Sequence, residues 1–164
     1  MVVETESPSN QKFVVQTASN MEEIKKRLDG LGSVEDLNAP GAGVVVHLEQ
    51  PSSEPRSGWQ AIRDAVGEDV DVHPVLMDSE GDPHYPTGRI TVRFAKPPQN
   101  DEVEQFAHLY NLRTQSQNKY IPTQFVFEPR ESANRYLPDV LNKIRSEGSV
   151  KAAWADTLSA YKRA

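Results

Sequence analysis

The histidine, serine and carboxylate side chains are the residues of this chain that could catalyse a reaction. A serine hydrolase needs a serine, a histidine and an acid held together, and many carry the serine in a Gly-x-Ser-x-Gly turn. That turn is absent, and none of the four histidines lies in such a pattern. His47 and His73 are typical of strand residues, whereas His84 falls in a loop and His108 on the solvated side of a helix. The sequence therefore predicts a protein that is not an enzyme.

A short acidic stretch has side chains that could bind a cation. Asp78, Glu80, Asp82 and His84 alternate along one loop, and hard cations such as Ca²⁺ bind carboxylate oxygens. The stretch lacks the distal bidentate glutamate of a twelve-residue calcium loop, so a polar turn explains it equally well. The glycines at positions 41 and 43 have no helix after them that could receive a phosphate. We therefore expect no metal and no cofactor.

The composition is that of a folded protein with a polar, acidic surface. Hydrophobic residues make up 37% and charged residues 26% of the 164 residues, and the mean hydropathy is -0.63. The net charge of -6 disfavours nucleic acid as a partner, because phosphate binding depends on an excess of Lys and Arg. No apolar run approaches the roughly 20 residues that cross a bilayer, so we expect no membrane association.

The N-terminus and the cysteine count bear on the cellular compartment. Residues 1–11 lack the basic start and the apolar centre of a secretion signal, and we interpret them as a flexible arm. The chain has no cysteine and hence no disulfide framework. These features favour the cytoplasm if Met1 is the native start. An extracellular location is expected instead if the chain is a propeptide excised from a longer precursor.

Hydrophobic periodicity predicts the same order of elements twice: strand, helix, two strands, helix, strand. The first copy spans residues 12–78. Its two helices each have one apolar face, and Gly30 and Gly67 follow them as C-terminal stops. Its two middle strands are predicted to form a hairpin about Pro40-Gly41. The residues of the two helical faces are Met21, Ile24, Leu28, Trp59, Ile62 and Val66.

The second copy spans residues 88–159, after a linker at 79–87 that is rich in turn residues. Residues 90–94 alternate between apolar and polar, which is typical of a strand with one face on a core. Asn100 is predicted to cap the next helix, and Asn111 is predicted to end it in the left-handed conformation.

This order of elements is the split βαβ pattern, in which two helices cover one face of a four-stranded antiparallel sheet. We therefore predict an α+β fold made of two ferredoxin-like βαββαβ sandwiches in tandem. RNA-recognition modules share the order and stack bases on aromatic residues of the central strands. Phe94 is instead in phase with Ile90 and Val92, so we interpret it as a core residue.

Two stretches of the second half resemble a known family. Residues 86–94 read Pro-Thr-Gly-Arg-Ile-Thr-Val-Arg-Phe, and residues 150–157 read Val-Lys-Ala-Ala-Trp-Ala-Asp-Thr. Together with His73–Asp78 they resemble the N-terminal propeptides of subtilisin-like serine proteases, the fervidolysin-like prodomains included. The chain departs from the family pattern at Ala155, where proline is usual, and at Asn111, where glycine is usual.

The resemblance implies a module that binds, inhibits and assists the folding of a subtilisin-like serine protease, in cis or in trans. The sheet of such a propeptide lies on two surface helices of the catalytic domain, and its C-terminal tail, here residues 160–164, occupies the active-site cleft. Acidic residues of the module would meet helix N-termini of the protease, and Trp154 would lie at the interface. The predicted protease-binding residues are Glu128, Glu131, Trp154, Asp156, Ser159, Ala160, Tyr161, Lys162, Arg163 and Ala164.

A second interpretation keeps the fold and changes the function. The two copies would then form a non-catalytic, pseudo-symmetric regulatory or scaffold domain that binds another protein or a small ligand. Removal of Tyr161 to Ala164 separates the two interpretations, because it abolishes protease inhibition in the first and has no effect in the second.

Overall fold

The computed structural model describes residues 7–17, 21–37, 43–67, 70–130 and 135–158. Within these ranges the chain forms four helices and two antiparallel sheets, which confirms the mixed α+β class. The helices are α1 (Met21–Leu28), α2 (Pro55–Val66), α3 (Asn100–Leu109) and α4 (Leu137–Arg145). The strands are β1 (Ser7–Gln16), β2 (Gly32–Asp36), β3 (Val44–Leu48), β4 (Asp71–Met77), β5 (Pro83–His84), β6 (Pro86–Phe94), β7 (Leu112–Gln117), β8 (Gln124–Pro129) and β9 (Val150–Thr157).

The strands are divided between the sheets by their position in the chain. The first sheet has the order β2-β3-β1-β4-β5, and the second has the order β7-β8-β6-β9. The chain folds into two compact units that follow the sheets. Among the described residues, the first unit contains those up to Thr87 together with the pairs 135–136 and 157–158. The second unit contains residues 88–130 and 137–156.

The sheet of the first unit carries apolar residues on both faces. Phe13 and Val15 of β1 point to the side of α1 and α2, where they join a buried cluster with Leu28 and Ile62. Val14, between them, points to the opposite side and packs with Val45 and Val75. This arrangement follows from the strand period of two, because successive side chains of a fully buried strand fall on opposite faces.

Tyr136, which follows the last strand of the β7–β8 hairpin in sequence, packs in the first unit. Its ring meets that of Trp59 edge to face at 5.3 Å between centroids, and the guanidinium of Arg56 lies 4.6 Å from its ring centroid. Such contacts contribute roughly 0.5–1.5 kcal/mol each beyond area burial. The first unit therefore depends on a residue from the second half of the chain.

The core of the second unit is aromatic. The ring of Phe106 on α3 contacts those of Phe94 and Phe127 with centroids 5.1 and 5.3 Å apart, and Phe125 packs against Phe94 at 5.7 Å. Phe94 is buried, as its phase with Ile90 and Val92 predicts. The prediction that Phe94 is a core residue is confirmed.

Some predicted element boundaries are confirmed and others are wrong. Asn111 has φ of 56° and ends α3 in the left-handed conformation, as predicted. The N-cap of α3 is Gln99 and not Asn100, because Gln99 and Glu102 form a reciprocal capping box. Ser7 to Gln11, predicted to lie in a flexible arm, belong to β1, where Ser7 pairs with Met77 of β4. The Pro40-Gly41 turn lies outside the described residues.

The segment 79–87, predicted as a loop, also contains regular structure. Residues 83–84 form β5, which pairs with the end of β4, and β6 begins at Pro86. Among the described residues, the longest helix has 12 residues, and none is both long and apolar enough to cross a bilayer.

Candidate functional site

The face of the second sheet opposite its aromatic core is the candidate functional site. Phe125, Phe127, Ala153 and Ala155 are buried on the core side, so the residues that alternate with them lie on the other side. Cross-strand pairs place Thr91 opposite Val126 and Arg93 opposite Gln124 there. We call this surface the polar face, and its members are Arg89, Thr91, Arg93, Arg113, Gln124, Val126, Glu128, Trp154 and Asp156.

One end of the polar face is an ion cluster around Glu128. The carboxylate lies 3.2 Å from Nε of Arg113 and 4.0 Å from Nε of Arg89. The side chains of Arg113 and Arg89 are 56% and 49% exposed, so each pair contributes at most about 1 kcal/mol to stability. The cluster matters more for the charge of the surface, because one carboxylate faces two guanidinium groups.

The middle of the polar face is built around Arg93 and Trp154. The guanidinium of Arg93 donates through Nη2 to Oε1 of Gln124 at 2.8 Å, and through Nε to the same oxygen at 3.3 Å. It also lies 5.9 Å from the ring centroid of Trp154, within the range of a cation–π contact. Trp154 itself is half-buried. The two contacts fix the position of a large aromatic side chain and of a cation beside it.

The remaining polar pair joins β6 to β9. The hydroxyl of Thr91 donates to Oδ1 of Asp156 at 2.5 Å. Thr91 is buried, and Asp156 is half-buried. A hydrogen bond to a carboxylate in such a place is worth roughly 1.5–3 kcal/mol, so it fixes the edge strand β9 against its neighbour.

The structure brings together three of the residues that the sequence predicts as protease-binding. Glu128, Trp154 and Asp156 all lie on the polar face. Glu131 and residues 159–164, which include Ser159, Ala160 and Tyr161 to Ala164, lie outside the described residues. The arginines were not among the residues predicted from the sequence, although Arg89 and Arg93 alternate with core residues and this alternation predicts their side of the strand.

The two described carboxylates of the predicted set already have partners within the face. Glu128 is paired with arginine, and Asp156 accepts the hydrogen bond of Thr91. Contact with helix N-termini of a partner protein would therefore compete with these interactions. That these carboxylates meet helix N-termini of a protease stays a prediction.

Thr157 is the last residue of the second sheet, and the residue after it, Leu158, is held by a backbone hydrogen bond and by apolar packing. The backbone N–H of Leu158 donates to the carbonyl of Tyr85 at 3.0 Å. The Leu158 side chain packs against the cluster of Val14, Val45 and Val75 in the first unit. Any function of the following residues therefore starts from an anchored position.

The acidic stretch is a turn held by its own first residue. Oδ1 of Asp78 accepts from the backbone N–H groups of Glu80 and Asp82, both at 2.9 Å, and Oδ2 lies 2.9 Å from Nε2 of His84. The hydrogen bonds with His84 and the backbone lower the pKa of Asp78 to about 2. In the described part of the chain, no group of three or more His, Asp or Glu side chains could hold a metal ion.

Of the other histidines, His47 on β3 is the cross-strand partner of Ser33 on β2. His47 is 3.8 Å from Glu35, and His108 is an exposed residue of α3. His73 is buried in β4, and neither of its ring nitrogens has a hydrogen-bond partner among the described residues. Burial lowers the pKa of His73 to about 4, so the ring is neutral at pH 7.

Two comparisons with known proteins bear on the function of this chain. No model of a protein family matches it, and a search of curated proteins finds no match. Function must therefore be inferred from the surface itself.

Proposed function

We propose that the chain is a non-catalytic module that binds and inhibits a subtilisin-like serine protease and assists its folding, with the polar face as the docking surface. The observation that carries this proposal is the composition of that face. It combines a half-buried Trp154 with three arginines, and Trp and Arg are enriched at the energetic centres of protein interfaces. Lys, which is depleted in interface cores, does not occur among the members of the polar face.

The proposal includes a ferredoxin-like architecture for both units. The second unit runs β6-α3-β7-β8-α4-β9, and its strands lie in the order β7-β8-β6-β9. The first unit runs β1-α1-β2-β3-α2-β4 with the corresponding order β2-β3-β1-β4, to which β5 is added. These orders match the split βαβ pattern, in which one sheet face stays clear of helices. They support the same arrangement that the resemblance to propeptides implies.

Docking of the polar face would bring the residues after Leu158 to the protease. Six residues span about 20 Å when fully extended, and protease clefts bind extended peptides by pairing them with a sheet edge. The tail would occupy the active-site cleft in the manner of a product. A polar face without a tail in the cleft would bind the protease without inhibiting it.

Inhibition and assisted folding would both follow from the free energy with which the module binds the folded protease. A module that binds the folded protease and not the unfolded chain stabilises the folded state by mass action. A nanomolar dissociation constant corresponds to about 12 kcal/mol, which is reached by protease complexes that bury about 1,600 Å². Refolding of the protease and loss of its activity would therefore respond together to the same substitutions.

The experiment is an inhibition titration against a panel of purified subtilisin-like serine proteases with a chromogenic peptide substrate. We expect the full chain to inhibit at least one protease, and a chain ending at Ala160 to be at least about 100-fold weaker, because an extended peptide in the cleft supplies several backbone hydrogen bonds. Tyr161→Ala tests the tail without a deletion. Tyr120→Ala is its matched control, since Tyr120 is 88% exposed on the β7–β8 hairpin.

Two results would contradict the proposal. One is a full chain that inhibits no member of the panel at micromolar concentration. The other is inhibition that the shortened chain retains unchanged, since the tail would then have no part in it.

The anchoring of Leu158 favours a second candidate function. A chain that is held by Tyr85 and the first unit directly after β9 suits a scaffold domain in which the tail is structural. The second unit also has a pocket of about 370 Å³, whose lining includes Phe94, Phe106 and two prolines, Pro97 and Pro98. Ligand sites have such sizes. This function would be supported if a chain ending at Ala160 behaved like the full chain in the inhibition titration and a small apolar ligand bound in this pocket.

A further inference from the structure

We infer that the protein surface that binds the polar face carries carboxylate groups; this inference rests on the proposed docking function. The chain as a whole has a net charge of -6. The polar face has the opposite sign, because it holds Arg89, Arg93 and Arg113 against Glu128 and Asp156. A cationic surface on an acidic protein selects a partner of complementary charge.

Arg93 is a cation of the polar face that two neighbouring side chains hold in place. Its two described hydrogen bonds go to the neutral amide of Gln124, and its ring contact is with the neutral indole of Trp154. Neither partner cancels its charge. The guanidinium is therefore oriented before binding, and a carboxylate that reaches it needs to order only its own side chain.

Arg113 adds a second site for a carboxylate at the end of the face. Among the described residues, only its Nε has a partner, which is the carboxylate of Glu128. A guanidinium has five N–H donors in a planar fork, so the terminal nitrogens of Arg113 keep their donors for a partner. The fork geometry favours a carboxylate over a point-like acceptor, because two parallel hydrogen bonds can form.

An acidic protein fits this surface better than a single-stranded nucleic acid. Sheet faces that bind RNA stack bases on aromatic residues of their central strands, whereas β6 and β8 contribute Thr91 and Val126 to the polar face. Its aromatic residue, Trp154, lies on the edge strand β9.

The test is an NMR titration of the full ¹⁵N-labelled chain with poly-L-glutamate, with poly-L-glutamine as the uncharged comparison. We expect poly-L-glutamate to shift the Nε–H signals of Arg93 and Arg113 and the indole signal of Trp154, while poly-L-glutamine leaves them unchanged. Arg113→Gln, at an exposed position that does not endanger folding, should weaken the binding by about three-fold or more. Lys26→Gln is the control, because it removes the same charge from an exposed site on α1.

Three results would overturn the inference. They are an absence of shifts at Arg93 and Arg113, equal weakening by Lys26→Gln and Arg113→Gln, and tighter binding of a single-stranded RNA oligomer than of poly-L-glutamate at this face. Failure of the proposed function is seen separately in the protease panel. A chain that inhibits a protease but does not bind poly-L-glutamate refutes only the acidic partner surface. A chain that binds poly-L-glutamate but inhibits no protease refutes only the proposed protease function.

Discussion

We expect Phe106→Ala to lower the free energy of unfolding by about 3–5 kcal/mol. Phe106 is buried in α3, and its ring contacts those of Phe94, Tyr110 and Phe127 with centroids 5.0 to 5.3 Å apart. Truncation removes the apolar area of the ring and leaves a cavity, because Phe94 and Phe127 lie on the paired strands β6 and β8 and cannot both move inward. This large loss follows from the small size of the core, in which few other contacts compensate.

The measurement is urea denaturation followed by far-ultraviolet circular dichroism. Leu109→Ala is the matched control, since it truncates a large apolar residue of the same helix that is 67% exposed. We expect it to change the free energy of unfolding by no more than about 0.5 kcal/mol. Equal unfolding midpoints for the two variants would refute the position of the core in the second unit.

The second large effect that we expect is a loss of stability on acidification that depends on His73. Burial lowers the pKa of His73 from 6.5 to about 4, so the folded state binds its proton less readily than the unfolded state. The stabilisation that depends on the neutral ring is complete above pH 6.5 and is lost as the pH falls from 6.5 to 4. The difference in pKa corresponds to about 3 kcal/mol.

Asp71, two residues earlier on the same strand, acts in the opposite direction. Burial raises its pKa to about 6, so the folded state holds the proton of Asp71 more tightly than the unfolded state. Its contribution to stability is present below pH 3.8 and is lost as the pH rises to 6. The two trends oppose each other between pH 4 and pH 6, and the parent chain shows only their difference.

Two variants separate these trends. In Asp71→Asn, denaturation between pH 7 and pH 4 should reveal the full loss of stability that depends on His73. Adding His73→Leu to this variant should remove about 3 kcal/mol of that loss, since leucine fills the site and cannot be protonated. Identical pH profiles for the single and double variants would show that His73 is not held neutral in the folded state.

Much of the local structure could be predicted from the sequence, because it depends on neighbouring residues. The alternation of Ile90, Val92 and Phe94 predicts the core side of β6, and Asn111 predicts the left-handed end of α3. Gln99 was missed as the N-cap because glutamine is not among the residues usually preferred there, although Glu102 has the spacing of a capping box. The cap depends on a reciprocal pair and not on one residue type.

Contacts between distant parts of the chain could not be predicted. The packing of Tyr136 against Trp59 and the pairing of Ser7 with Met77 join residues far apart in sequence, and a period of two or 3.6 carries no information about such partners. The same limit applies to the candidate site. Trp154 and Glu128 were predicted from the resemblance to propeptides, whereas the pairing of Arg113 with Glu128 depends on the register between β7 and β8.

The most direct test of the docking surface is a ¹⁹F NMR titration of the chain labelled with 5-fluorotryptophan. Trp154 lies on the polar face and reports on docking. Trp59 is buried in the first unit and serves as the internal control. The titrant is an unlabelled subtilisin-like protease that the full chain inhibits, with its catalytic serine replaced by alanine. We predict that the Trp154 signal shifts in proportion to complex formed while the Trp59 signal does not move. An unchanged Trp154 signal in a saturated complex would contradict the polar face as the docking surface.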